Sequence, residues 1–189
     1  MTTTIEKPNM ITTLMDKALA AQKDYETFDQ AAVDNIVKEV AFSLRDHSVE
    51  LAKLAQEETG FGNATDKTTK NLFASEVLYN SIKDIKTVGI IEELEEKKML
   101  KVAVPMGVVA ALIPSTNPTS TTIYKSLLAL KTRNAIILSP HPKALKAITE
   151  TVNIIKSVLV DLDAPADLVQ VIAEPSLEGT QELMAHRQT

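Results

Sequence analysis

Six consecutive apolar residues, Val108-Val-Ala-Ala-Leu-Ile113, run directly into a polar turn, Pro114-Ser-Thr-Asn-Pro-Thr-Ser120. A strand with one wet face alternates apolar and polar side chains. An unbroken apolar run is instead the pattern of a strand that a parallel sheet buries on both faces. The same arrangement then repeats. A helix-like run from about Ser120 to Leu130 leads to Asn134-Ala-Ile-Ile-Leu138, and a second polar turn, Ser139-Pro-His-Pro-Lys143, follows it. From about Pro142 to Val160, Ile148, Val152, Ile155 and Leu159 fall on one helical stripe. Asp163-Ala-Pro-Ala-Asp167 is a turn, Leu168-Val-Gln-Val-Ile172 a third short strand, and Leu177 to Ala185 a closing helix. Strand, helix, strand, helix, strand with right-handed crossovers makes part of a doubly wound parallel sheet. Open sheets of this kind bind ligands beyond the carboxyl ends of their strands, which is where both polar turns lie.

The preceding residues have a different period. Residues 1–8 read as a frayed tail. Helices are expected from about Ile11 to Gln22, from the N-cap Asp29 through Val33, Ile36, Val37, Val40, Ala41 and Leu44, and from about Val49 to Glu58 with Leu51, Leu54 and Ala55 on one face. Gly60 ends the third, since glycine accepts the left-handed conformation at a helix C-terminus. A fourth helix is expected from about Asp66 to Ile85, with Leu72, Phe73, Val77 and Leu78 on its buried side. Thr87 to Ile91 and Met99 to Val104 are β-prone, and the charged run from Glu92 to Lys98 reads as a solvated turn between them. The fold class is therefore α/β: N-terminal helices over residues 1–86, a β-hairpin excursion over 87–104, and the first, incomplete part of a doubly wound parallel sheet over 105–189.

Composition narrows the chemistry. The chain contains no cysteine, which excludes a disulfide framework and any cysteine-ligated metal. No pairing of its 3 histidines (His47, His141 and His186) with carboxylates has metal-ligand spacing, so no metal site is expected. Net charge is −5 and neither half of the chain is basic, which argues against nucleic acid as a partner. The longest apolar run is interrupted by Pro105 and Gly107 and is too short to span a bilayer. The N-terminus has no basic segment before an apolar core, so a cytoplasmic location is expected.

Within the turns, Asn117 stands out. Pro118 restricts its backbone and offers no hydrogen bond. An amide held there can donate N–H to a developing oxyanion. Spacing alone favours the simpler reading of Asn-Pro as a turn former. Ser115, Thr116, Thr119 and Ser120 crowd the same turn. Hydroxyls and free amides at a helix start suit an anion such as a phosphate, although Thr119 or Ser120 as an ordinary N-cap is the plainer reading. There is no Gly-x-Gly-x-x-Gly and no Gly-x-x-x-x-Gly-Lys-Ser/Thr motif.

The Asn-Pro turn, the Ser-Pro-His-Pro turn and Lys86-Thr-Val-Gly-Ile-Ile-Glu-Glu93 occur together, with Glu58-Thr-Gly-Phe-Gly62 and Asp66-Lys-Thr-Thr-Lys-Asn-Leu-Phe-Ala-Ser-Glu76 upstream. In this combination the chain resembles the aldehyde dehydrogenase superfamily, and most closely the CoA-acylating aldehyde dehydrogenase half of bifunctional aldehyde–alcohol dehydrogenases. The resemblance covers residues 10–187 or so. It reverses the reading of Asn117, which is similar in place to the family's oxyanion donor. It implies that Ser115, Thr116, Ser139, Pro140 and His141 line the cofactor or CoA cleft. In most of the family a lysine opens the second turn and binds the adenine-side ribose. Ser139 stands there in this chain, so that contact is not carried over to Lys143. The family binds NAD without the glycine fingerprint.

The activity implied is oxidation of a small aldehyde, acetaldehyde in the first instance, by NAD with coenzyme A as acyl acceptor, reversibly, in a homo-oligomer. That chemistry needs a cysteine thiolate, which these residues lack. The expectation is a part of such an enzyme, inactive alone, with an apolar sheet face left uncovered, so that the isolated chain self-associates or is partly molten. The alternative is a non-catalytic nucleotide-binding or assembly module that uses the hairpin at 87–104 as a pairing edge.

Overall fold

The structure is a computed structural model that describes residues 9–189; the tail expected over residues 1–8 lies outside them. Helix α1 (Met10–Tyr25) is capped by Asn9, whose side chain accepts from Ile11 N. The side chain of Asp29 caps α2 (Gln30–Asp46) by accepting from Ala32 N at 2.8 Å, and Val33, Ile36, Val37, Val40, Ala41 and Leu44 are its buried stripe. Helix α3 (Ser48–Thr59) ends at Gly60, which adopts φ 69°. These elements follow their local sequence signals closely.

The next segment does not. Helix α4 (Ala64–Leu72) passes through a π turn, Phe73–Val77, into α5 (Leu78–Ile82). Phe73 and Val77, expected inside, are 66% and 49% exposed. The inward positions belong to Lys67, Asn71, Ala74 and Ser75. The physical reason is a polar interior at this face. Asn71 Nδ2 donates to Ser48 O at 3.0 Å, and Asn71 Oδ1 accepts from Thr119 Oγ1 at 2.8 Å. A satisfied buried amide of this kind outweighs the apolar period in deciding which side faces in.

The excursion is an antiparallel ribbon of β1 (Gly89–Leu94) and β2 (Met99–Ala103), with a shift of register between Ile90 and Glu92. The solvated turn expected from Glu92 to Lys98 is shorter: Glu92 to Leu94 belong to β1, and only Glu95–Lys97 form the tight turn, with Lys98 at φ 50°. Glu92 pairs across the ribbon with Lys101, so its charge sits on a strand face and not in a loop. Both stems are tied to the body. Gln30 Oε1 accepts from Thr87 N and Val88 N, and Asn134 Oδ1 accepts from Met106 N and Gly107 N.

Strands β3 (Val108–Ile113), β4 (Ala135–Pro140) and β5 (Val169–Val171) form a parallel sheet in that order. Helices α6 (Pro118–Lys131) and α7 (Leu145–Asp161) are the crossovers, and α8 (Leu177–Ala185) follows β5. All six residues of β4 are buried, as expected for a central strand. Burial on both faces fails at β3, the edge of the described sheet, where Leu112 is 49% exposed. Helix α6 starts at Pro118, earlier than expected, so neither Thr119 nor Ser120 is its N-cap; Asn117 holds that position. Among the described residues no helix is long and apolar enough to cross a membrane, and no cluster of His, Asp or Glu could hold a metal ion.

Candidate functional site

The turn after β3 is fastened from below by α4. Lys67 Nζ donates to Thr116 O at 2.9 Å, and Lys70 Nζ donates to Asn117 Oδ1 at 2.9 Å. Asn117 occupies the N-cap position of α6 with φ −135° and ψ 59°, yet its side chain makes no cap hydrogen bond. Its amide is therefore not consumed by the helix. Its Nδ2 has Thr116 Oγ1 only at the limit of hydrogen bonding, 3.5 Å. Pro118 at the first helical position has no N–H to satisfy. Lys67 is 5% exposed. Burial, reinforced by the neighbouring charge of Lys70, holds its ammonium below the usual lysine range.

A second site lies one strand along the same edge. Ser139, Pro140 and His141, with Ile113, Pro175 and Thr180 among its walls, line a groove of about 360 Å³ between the ends of β3 and β4 and the start of α8. Ser139 is buried, and its Oγ is 2.7 Å from Thr180 Oγ1. Thr180 gives its own proton to Ser176 O at 2.8 Å, so Ser139 is the donor to Thr180. Towards a ligand Ser139 can then only accept. His141 Nδ1 accepts from Lys143 N at 3.1 Å, which leaves Nε2 to carry the proton of a neutral ring.

The expected residues thus fall in two places on one sheet edge. Ser139, Pro140 and His141 are brought together around a groove, while Ser115 and Thr116 sit with Asn117 on the neighbouring turn and do not line that groove. Sequence reasoning missed Lys67, Lys70 and Asn71. Their spacing puts them on one helical face, but a polar helical face ordinarily means solvent. It also missed Ser176 and Thr180, which only the fold brings to Ser139. A third groove, about 480 Å³ and largely apolar, runs from Lys70 past Phe73 and Leu78 to Ser120 and Tyr124.

Parallel strands crossed by helices, with polar turns and a groove at their carboxyl edge, define an α/β protein of the open-sheet class. The chain belongs to the aldehyde dehydrogenase family, whose sequence profile matches residues 2–189. It is 43% identical over 173 residues to the bifunctional aldehyde–alcohol dehydrogenase of Escherichia coli (strain K12), a match covering 92% of this chain and 19% of that protein. An acetylating aldehyde dehydrogenase from Geobacillus thermoglucosidasius superposes with a TM-score of 0.93 at 48% identity, over 95% of this chain and 40% of that one. A propionaldehyde dehydrogenase from Rhodopseudomonas palustris, solved with bound CoA and an acylated cysteine, gives 0.79 at 30% identity over 95% and 40%. The chain therefore spans less than half the length of each.

Proposed function

We propose that this chain forms the first part of a CoA-acylating aldehyde dehydrogenase that uses NAD, and that the edge formed by the turns after β3 and β4 belongs to its active site. The observation that carries this reading is the state of Asn117. Its amide sits at a helix start without capping the helix. Its oxygen is already engaged by Lys70, and its N–H groups remain available. In the reaction a thiolate adds to the aldehyde carbon and the carbonyl electrons move onto oxygen. Asn117 Nδ2 donates to that oxyanion, which stabilises charge only as it develops. NAD supplies the hydride acceptor and coenzyme A the acyl acceptor. The thiolate comes from outside these residues, which hold no cysteine.

The groove at Ser139 fits one end of a nucleotide. At about 360 Å³ it falls within the usual range for small-molecule sites, and its walls are apolar with a few polar groups. Ser139 offers an acceptor to a ribose hydroxyl, His141 Nε2 a donor, and Pro140 an apolar wall. Ser115 and Thr116 shape the neighbouring turn. The apolar groove beside Lys70 suits the alkyl part of a small aldehyde. We also infer that residues 87–104 act as an oligomerisation arm of a homo-oligomer, because both stems of the ribbon are hydrogen-bonded to the body and its outer edge is open.

The test is NADH formation from acetaldehyde, CoA and NAD by the intact protein carrying this segment. Asn117→Ala lowers kcat by roughly 10²–10³-fold if it is the oxyanion donor. A loss below about threefold removes it from that role. The 189 residues alone give no turnover.

A further inference from the structure

The amide of an asparagine can face either way at its site, and its two ends have opposite chemistry. At Asn117 one neighbour decides the matter. An ammonium has three donors and no acceptor, so the group 2.9 Å from Lys70 Nζ has to be oxygen. The flipped amide would set Nδ2 against Nζ, donor against donor. We propose that Lys70 is a positioning residue for the reaction, turning the Asn117 amide so that its N–H groups face the substrate and polarising it into a stronger donor. The inference rests on the oxyanion role of Asn117.

Three further observations and one general property of amides support it. Among the described residues, Lys70 forms no salt bridge, so its charge is not spent on a carboxylate. Lys67, one turn away, holds the carbonyl of Thr116, so the two lysines fix the peptide and the side chain of the same turn from one side. A buried lysine whose hydrogen bond goes to a main-chain carbonyl is costly for folding alone, which points to a use for the charge. Finally, the hydrogen bond of a cation to an amide oxygen withdraws electron density through the conjugated group and strengthens the N–H at the other end.

The experiment is a double-mutant cycle in the intact enzyme. Lys70 is exposed, so its replacement leaves the fold standing, and an unchanged cooperative melt checks this. Lys70→Met lowers kcat on the order of tenfold, the effect of one charge-assisted hydrogen bond. Lys70→Arg, which can still donate to Oδ1, keeps kcat within about threefold of the parent. In an Asn117→Ala background Lys70→Met costs nothing more, because the group it acts through is gone. An active enzyme in which Lys70→Met leaves kcat unchanged, or in which its loss persists in full without Asn117, overturns the inference. An intact protein without CoA-acylating activity overturns the proposed function itself.

Discussion

Lys67 shows how a single residue can work against the fold that contains it. Its side chain is buried, its ammonium is bonded to Thr116 O, and its pKa lies below that of a lysine in the unfolded chain. The sign of the consequence follows from linkage. Below the folded pKa the native state carries a buried charge that the unfolded state solvates better. Between the folded pKa and the unfolded value of about 10.4, the unfolded chain binds more protons, so stability from this group rises with pH. A neutral amine can still donate to Thr116 O, so the hydrogen bond survives deprotonation. Thermal unfolding of the protein and its Lys67→Met variant should therefore diverge in favour of the parent as pH rises through the lowered folded pKa towards the unfolded lysine value. Lys38 and Lys83, whose exposed ammonium groups are shifted upwards by hydrogen bonds to adjacent carboxylates, are common to both proteins and cancel. A difference in Tm that does not change across that range would mean that Lys67 is not held against its charge.

At the scale of elements, one long-range cap carries a similar lesson. Helix α7 has no side chain of its own at its N-cap. Glu58, at the end of α3, supplies both oxygens instead, accepting from Lys146 N and Ala147 N at 2.8 Å each. A carboxylate on two otherwise orphaned amides at the positive end of a helix dipole stabilises by hydrogen bonding and charge together. Glu58→Ala should cost about 1–3 kcal/mol in denaturant unfolding at neutral pH. Glu58→Gln should recover part of that, since one amide oxygen can still accept. A cost below about 0.5 kcal/mol, the level of an ordinary surface change, would show that water replaces the carboxylate. Glu58 was visible in the sequence only as part of a motif. The partner amides are 88 and 89 residues away, and no local period encodes them.

The same distinction governs what else could be read in advance. Helix α2, Gly60 and β4 were legible because each obeys a rule that acts over a few residues: an N-cap, a left-handed C-terminus, an unbroken apolar run. The inner face of α4 was not, because Asn71 and Lys67 are buried by partners on other elements, Ser48, Thr119 and Thr116. The candidate site divides in the same way. Asn117, Ser139 and His141 announced themselves by following strands. Lys70, Ser176 and Thr180 became visible only when the chain had folded.

For the molecule as a whole, the decisive feature is apolar surface. Val104, Met106 and Leu112 near the ribbon and β3, Leu128 on α6, and Phe73 and Val77 on the π turn are all exposed. A shallow groove along Val109, Ala110 and Ala111 reaches Leu128 and continues the uncovered side of β3. Scattered exposed side chains are ordinary, but a contiguous apolar strip along a sheet edge marks a surface that other protein covers. The ribbon adds Ile90, Ile91, Leu100 and Val102, all exposed. The longer relatives, of which this chain spans 19% to 40%, have further residues with which to cover such surfaces. The 189 residues produced alone should therefore self-associate. Size-exclusion chromatography with light scattering should give a mass above the 20.6 kDa of one chain, and the mass should rise with concentration. Charged substitutions at Leu112 and Leu128 should reduce that association if the β3 edge drives it, while Leu100 and Val102 should matter if the ribbon does. A monodisperse monomer with a cooperative thermal transition would show that the half-sheet is stable with its edge in water.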